Sequence, residues 1–250
     1  MVIKIGTGVL TRNEGVVLHH AMIARLTQAI ADVNAAGHQA IIVSSGAVGA
    51  GLMTFGLTER PTDVGMLQAC AAAGQARLMH IYEGHFSHFN LKVAQLLLTH
   101  EDLGDEKRRD NVKTTLDHLL AYPAVIPIIN ENDSVAVYEL KVGDNDRLSA
   151  DVARLVKADL LILLTSVPGL RKPGTDNPDN IVETVDDIDA VMHFADANTG
   201  RLSVGGMKTK LESVKTAVEA GIETIIAACH NPEQLVDLVS GGGKGTRFSP

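Results

Sequence analysis

Residues Asp146–Ser166, DRLSADVARLVKADLLILLTS, carry the decisive fold signal of this 250-residue chain. Helical periodicity runs from Asp146 to Lys157 and gives way to the unalternated apolar run Leu160–Leu164, which closes in Thr165 and Ser166. A short apolar run without alternation suits a strand covered on both faces. Runs of the same kind recur at Val2–Ile5, Ala40–Val43, Val93–Leu98, Ala124–Ile129 and Thr224–Ala228. Between them lie the helix-periodic segments Val16–Ala36, Val64–Phe89, Asp105–Ala121 and Met207–Ala220. Strand then helix, repeated, predicts an α/β protein, a three-layer α/β/α sandwich around a mostly parallel central sheet. Two segments depart from the rhythm. Val135–Val142 alternates and predicts a half-exposed antiparallel hairpin or ribbon, and the glycine-rich tail Gly241–Pro250 is expected to end as an edge segment. No linker, composition shift or fixed-period repeat divides the chain, so one domain over residues 1–250 is expected.

Composition narrows the function. Lys and Arg number 22 against 30 Asp and Glu, a net charge of −8, which is the wrong sign for a general polyanion binder. Aromatic residues make up 3% and Trp is absent, so the stacking platforms of single-strand nucleic-acid binders are scarce. Cys70 and Cys229 are far apart in apolar surroundings and read as reduced core thiols rather than a disulfide framework or a CxxC site. His80, His85 and His88 cluster without a metal-ligand spacing such as HExxH and read as a solvated helix face. The start MVIKIG lacks signal-peptide features, and no apolar run approaches membrane-spanning length; a cytoplasmic protein with no membrane or nucleic-acid partner is expected.

Ligands of open α/β sheets bind beyond the carboxyl ends of the strands. Lys4 runs into Gly6, Thr7 and Gly8; Ser44, Ser45, Gly46 and Ala47 follow the second run; Asn130, Glu131, Asn132 and Asp133 follow Ile129. Asp144, Asn145 and Asp146 head one helix, Thr165 and Ser166 close a strand, and Gly205–Lys210 opens another helix. Each of these is ordinary alone. Together they place NH-rich loops, two lysines and several acids on one edge, which suits phosphoryl transfer: backbone NH groups to cradle phosphate, cations to offset charge, an acid for Mg²⁺. The dinucleotide fingerprint, the Walker A loop and the GxSxG elbow all fail, at Thr11, Gly245 and Val43 respectively.

These residues resemble the glutamate 5-kinases of the amino acid kinase superfamily. The likeness runs in order through VIKIGTGVLT, IIVSSGAVGAG, AAAGQARLM, KVAQLLLT, IPIINENDSVA, ELKVGDNDRLSA, ADLLILLT, GGMKTKLESV, AGIETIIA and GTRF. NEND followed by KVGDND is the most specific part. The resemblance implies the amino acid kinase fold, ATP with Mg²⁺, and phosphorylation of the L-glutamate side-chain carboxylate to L-glutamyl 5-phosphate, the opening step of proline synthesis. It implies glutamate on Ser45, Gly46, Asp133 and Asn145. It implies ATP on Lys4, Gly6, Thr165, Ser166, Val204, Gly205, Gly206, Met207, Lys208, Thr209 and Lys210. Lys4, Lys210 and Asp146 would be catalytic, Asp146 orienting the lysines or the metal, with Lys141 and Asp144 in support; Mg²⁺ would bind chiefly through ATP phosphates, with Asp144 or Asp146 as further ligands. Proline as feedback inhibitor, a homo-oligomer, and a kinase domain without the C-terminal PUA domain of longer relatives are further expectations.

Several positions depart from the family pattern. Ser166 stands where an acid is usual, Arg171 where an aromatic is usual, Val204 replaces Thr and Lys208 a small residue, while Glu106 and Arg109 replace the more usual Arg and Tyr. Loss of the acid at Ser166 leaves open a sensor that binds ligand without turnover. A kinase of the same fold acting on aspartate, acetylglutamate, carbamate or a nucleoside monophosphate is the other alternative.

Overall fold

The computed structural model describes residues 1–12, 15–136, 145–174, 177, 180–197 and 206–250, with only the backbone of residues 196 and 197. In chain order the elements are β1 (Val2–Ile5), α1 (Thr7–Leu10), β2 (Thr11–Arg12), β3 (Val17–Leu18), α2 (His20–Ala35), β4 (Ile41–Val43) and α3 (Ala47–Leu52). There follow α4 (Val64–Ser87), β5 (Lys92–Leu98), α5 (His100–Gly104), α6 (Glu106–Leu120), β6 (Val125–Glu131), α7 (Asn145–Val156) and β7 (Leu160–Thr165). The chain closes with β8 (Thr184–Val185), α8 (Ile188–Val191), α9 (Phe194–Ala197), α10 (Met207–Val218), β9 (Glu223–Ala228), α11 (Gln234–Val239) and β10 (Thr246–Phe248).

Among the described residues eight strands form one sheet in the order β5-β6-β4-β1-β7-β9-β10-β8. Only the β9–β10 pair is antiparallel among these neighbours. The six apolar runs form six contiguous parallel strands, β5, β6, β4, β1, β7 and β9, and the sheet is mostly parallel as their unalternated character predicts, but β5 is the sheet edge and largely exposed or half-buried instead of covered on both faces. Strand alternation divides the core. Ile3, Ile5, Ile42, Ile162 and Leu164 face α2 and α4, whose Ile23, Leu26, Ile30, Leu78, Tyr82 and Phe86 fill that layer. Val2, Val43, Leu161 and Leu163 face the opposite layer with Leu148 and Val152 of α7 and Leu211 and Val214 of α10. That assignment puts Lys4, two residues after Val2, on the α7–α10 side.

Three expectations need correction. The helix predicted from Val16 starts at His20, because Gly15, with φ 96°, turns the chain so that Thr11 and Arg12 pair with Leu18 and Val17. His19 then caps α2, its Nδ1 accepting from Met22 N at 3.1 Å. The tail is not the sheet edge: β10 lies between β9 and β8, held by Thr246 Oγ1 donating to Val182 O at 2.6 Å and Arg247 N donating to Glu183 O at 2.8 Å. Val135 and Ala136 turn back on Asn132 O at 3.0 Å each instead of extending, and residues 137–142 of the expected ribbon lie outside the described residues. Among the described residues no helix is long and apolar enough to cross a membrane.

Candidate active site

The site begins with two buried cations on different elements. On α10 the buried stripe is Met207, Lys210, Leu211, Val214 and Ala217, so Lys210 occupies a core position of an amphipathic helix. On β1 the pleat carries Lys4 to the same layer. A buried ammonium is tolerated only with a partner. Both lysines find the same one: Lys4 Nζ lies 2.5 Å from Asp146 Oδ1, and Lys210 Nζ lies 3.0 Å from Asp146 Oδ2. Asp146 is 2% exposed. Burial opposes its ionisation, but the Lys4 and Lys210 charges outweigh burial and hold its carboxyl below the ordinary carboxylate value. Among the described residues, two ammonium groups converge on this one carboxylate, and cations gathered in this way suit an anionic ligand.

Asp146 reaches that position because α7 starts one residue before it, at the carboxyl edge of the sheet. Asn145, the first helical residue, is also buried, and its Nδ2 donates to Ser44 O at 2.7 Å, Ser45 Oγ at 3.1 Å and Asn130 Oδ1 at 3.0 Å. One helix start therefore joins the lysine cluster to the loop after β4 and the end of β6. Ser45 is followed by Gly46 at φ 93°, a left-handed conformation that glycine adopts without a steric penalty and that opens α3. Ser44 lies behind, its Oγ 3.0 Å from the Tyr82 hydroxyl.

The remaining expected residues fall as follows. Gly6 follows β1, its N–H donating to Leu164 O at 3.1 Å, and Thr165 ends the neighbouring β7 and is buried. Ser166 is exposed. Gly206 precedes α10 with no side-chain cap, leaving the helix start to backbone NH groups, the arrangement that binds phosphate. Lys208 is exposed and Thr209 half-buried, whereas the Met207 side chain belongs to the core layer, so only its backbone belongs to the helix start. Asp133 is half-buried two residues beyond β6. Val204, Gly205, Lys141 and Asp144 lie outside the described residues. Both oxygens of Asp146 face lysines, which makes it the organiser of the cations and a poor ligand for Mg²⁺. Among the described residues no three His, Cys, Asp or Glu side chains converge as metal ligands, His80, His85 and His88 included.

Asn130, named from the sequence only as part of the turn after Ile129, and Gln75, not expected at the site, belong to the same polar cluster. Asn130 Nδ2 donates to Gln75 Oε1 at 2.9 Å, and Asn130 Oδ1 accepts from Glu131 N at 3.0 Å. Both sit in stretches already marked, NEND and AAAGQARLM; a buried amide within a sheet-end motif is the signal that could have found them.

The amino acid kinase family matches residues 1–228. Glutamate 5-kinase of Symbiobacterium thermophilum is 46% identical, over 100% of this chain and 95% of that protein. Those of Sodalis glossinidius and Clostridium acetobutylicum are 44% and 41% identical; the chain spans 68% and 94% of their lengths. Among solved structures, carbamate kinase from Giardia lamblia superposes with TM-score 0.68 at 17% identity, covering 99% of this chain and 97% of that one. UMP kinase from Ureaplasma parvum gives 0.63 at 14% identity, covering 100% and 98%. At those identities the two structures speak for the fold alone.

Proposed function

This chain belongs to the amino acid kinase family and, within it, to the glutamate 5-kinases, and from that premise we infer that it phosphorylates the side-chain carboxylate of L-glutamate with ATP. The product is L-glutamyl 5-phosphate, and the step opens proline synthesis. The observation that carries the assignment of roles is the convergence of Lys4 and Lys210 on Asp146, beside an Asn145 pinned to Ser45.

The chemistry asks little of proton transfer. A glutamate side chain, with an ordinary pKa of about 4.3, is already ionised at neutral pH, so no general base is needed. One carboxylate oxygen attacks the γ-phosphorus, the bond to the β-phosphate oxygen breaks, and ADP leaves with the electron pair. The obstacle is repulsion between two anions held in line. Lys4 and Lys210 neutralise that charge, and Asp146 holds both ammonium groups in place before substrate arrives. The NH groups at Gly206 and the first turn of α10 bind phosphate oxygens, with Gly6 and Thr165 lining the same edge. Mg²⁺, when bound on the phosphates, adds further charge neutralisation. Ser45, Gly46, Asp133 and Asn145 hold glutamate, Asp133 opposite its ammonium group.

Ser166 does not undermine this reading, because Asp146 already pairs with both lysines. Residues 1–250 as one kinase domain, a cytoplasmic homo-oligomer and feedback inhibition by proline belong to the same proposal. It is tested by trapping the acyl phosphate with hydroxylamine in the presence of ATP and Mg²⁺. Hydroxamate is expected with L-glutamate and not with L-aspartate, N-acetyl-L-glutamate or carbamate, and UMP should yield no UDP. Equal turnover of any of these acceptors would reassign the substrate.

A further inference from the structure

We propose that Gln75 is a positioning residue for the amino-acid pocket, acting through Asn130 on Asn145, and that it sets Asn145 to accept a hydrogen bond from the substrate's α-ammonium group. This inference rests on the glutamate kinase reading above. The placement of Gln75 starts with its neighbour. A Cβ on Gly74 would stand 1.8 Å from Ala47 O and 2.5 Å from Gly51 N, and one on Gly51 would stand 1.9 Å from Cys70 O. Only glycine at both positions lets α4 lie backbone to backbone on α3. Because α3 starts immediately after Ser45 and Gly46, this one helix contact fixes the substrate loop at one end and delivers Gln75 to β6 at the other.

Gln75 is buried, and its Oε1 accepts a hydrogen bond from Asn130 Nδ2 at 2.9 Å. That bond decides which way the Asn130 amide points. With its donor end held by Gln75, its acceptor end faces Glu131 N and Asn145 Nδ2, both at 3.0 Å. Asn145 in turn spends its donor group inward, on Asn130, Ser44 and Ser45. An amide has one donor and one acceptor end, so its oxygen is the end left over. Asn145 Oδ1 is buried and has no hydrogen-bond partner among the described residues. An acceptor so presented suits an N–H donor and repels a carboxylate. The ammonium of an α-amino acid is such a donor, and an N-acylated acceptor, with a single N–H and no charge there, is a poorer one.

The experiment compares wild type with Gln75→Met, Gln75→Asn and Gln75→Glu, measuring KM for glutamate, KM for ATP, kcat and the thermal midpoint. Met keeps length and helix propensity but removes the acceptor; Asn keeps the amide but falls one methylene short of Asn130; Glu keeps an acceptor oxygen at full reach. Loss of one buried hydrogen bond corresponds to about a tenfold effect. The expected result is KM for glutamate raised about tenfold in Gln75→Met and Gln75→Asn, KM for ATP and kcat within about threefold of wild type, and recovery of the glutamate KM in Gln75→Glu. If Gln75→Met does not fold, Gln75→Asn decides. An unchanged glutamate KM in a folded Met or Asn variant overturns the proposal. So does a parallel rise in both KM values, which marks general loosening. A wild-type protein that makes no hydroxamate from glutamate overturns the kinase reading itself, a separate failure.

Discussion

Lys4 on β1 and Lys210 on α10, 206 positions apart in the chain, meet across a single carboxylate, Asp146, at 2.5 and 3.0 Å. Neither lysine sits in a loop. Each occupies a core register of a regular element, where the pleat or the helical stripe forces the ammonium group inside, and the acid on α7 makes that burial tolerable.

Asp146→Asn should therefore cost far more stability than a surface substitution. Removing the anion from a buried cluster of this kind costs about 3–5 kcal/mol, which for a chain of this length lowers the thermal midpoint by on the order of 10 °C. ATP, whose phosphates replace the missing charge, should raise the midpoint of the variant more than that of wild type. In wild type the depressed Asp146 pKa has a definite sign: its contribution is present above the ordinary value of about 3.9 and is lost as pH falls through the lower folded-state value. Thermal melts with and without ATP check both points; equal ATP shifts in the two proteins would contradict the account.

His100 gives the opposite pH sign. It opens α5, with its Nδ1 3.8 Å from Asp151 Oδ2, an ion-pair separation too long for a hydrogen bond. Asp151 raises its pKa, burial opposes, Glu131 adds to the rise and Arg147 opposes it, with a net increase over the ordinary value. Its contribution should be complete below about pH 6.5 and vanish as pH rises through the higher folded value. The difference in thermal midpoint between wild type and His100→Gln should accordingly be larger at pH 5.5 than at pH 9. A difference independent of pH would mean that the ring is held neutral.

Gly74→Ala sets helix propensity against packing. Alanine in a helix interior is favoured over glycine by about 1 kcal/mol, but here its Cβ would lie 1.8 Å from the backbone oxygen of Ala47, an atom that cannot move without parting α3 from α4. Packing wins, with a net loss of about 2 kcal/mol or more. Gly84, on the same helix with nothing within 4 Å of an added Cβ, is the control: Gly84→Ala should gain stability. Chemical denaturation of both variants measures the signs; a stabilised Gly74→Ala would show that the interlock is loose.

Much of this was legible in the residues. Leu160–Leu164 and the five runs like it mark six contiguous parallel strands to within a residue or two, because a strand buried on both faces has little room for polar side chains; Val93–Leu98 differs in burial, since β5 is the sheet edge. The carboxyl-edge loops could be read for the same reason, since the strands fix where each chain segment leaves the sheet. What could not be read is pairing across the fold. Nothing local to Asp146 says that both its oxygens are taken by lysines, so orienting the cations and holding the metal stood as equal options for it. Gln75 was invisible for a related cause: its role depends on the Gly51–Gly74 contact between two helices, which no periodicity reveals. The β8–β10 pairing depends likewise on contacts between segments more than 60 positions apart.

If the paired lysines drive phosphoryl transfer to glutamate, Lys210→Met should lose it. Methionine retains the length and helix propensity of the side chain and removes its charge, while Asp146 keeps Lys4 as a partner. Wild type and Lys210→Met would be incubated with ATP, Mg²⁺, L-glutamate and hydroxylamine, and hydroxamate and ADP measured together. Equal amounts of the two products are expected in wild type, with a loss of about 10²–10³ in kcat in a folded variant, the usual effect of removing one preorganised charge-stabilising donor. Undiminished hydroxamate from Lys210→Met would contradict this role of the lysines.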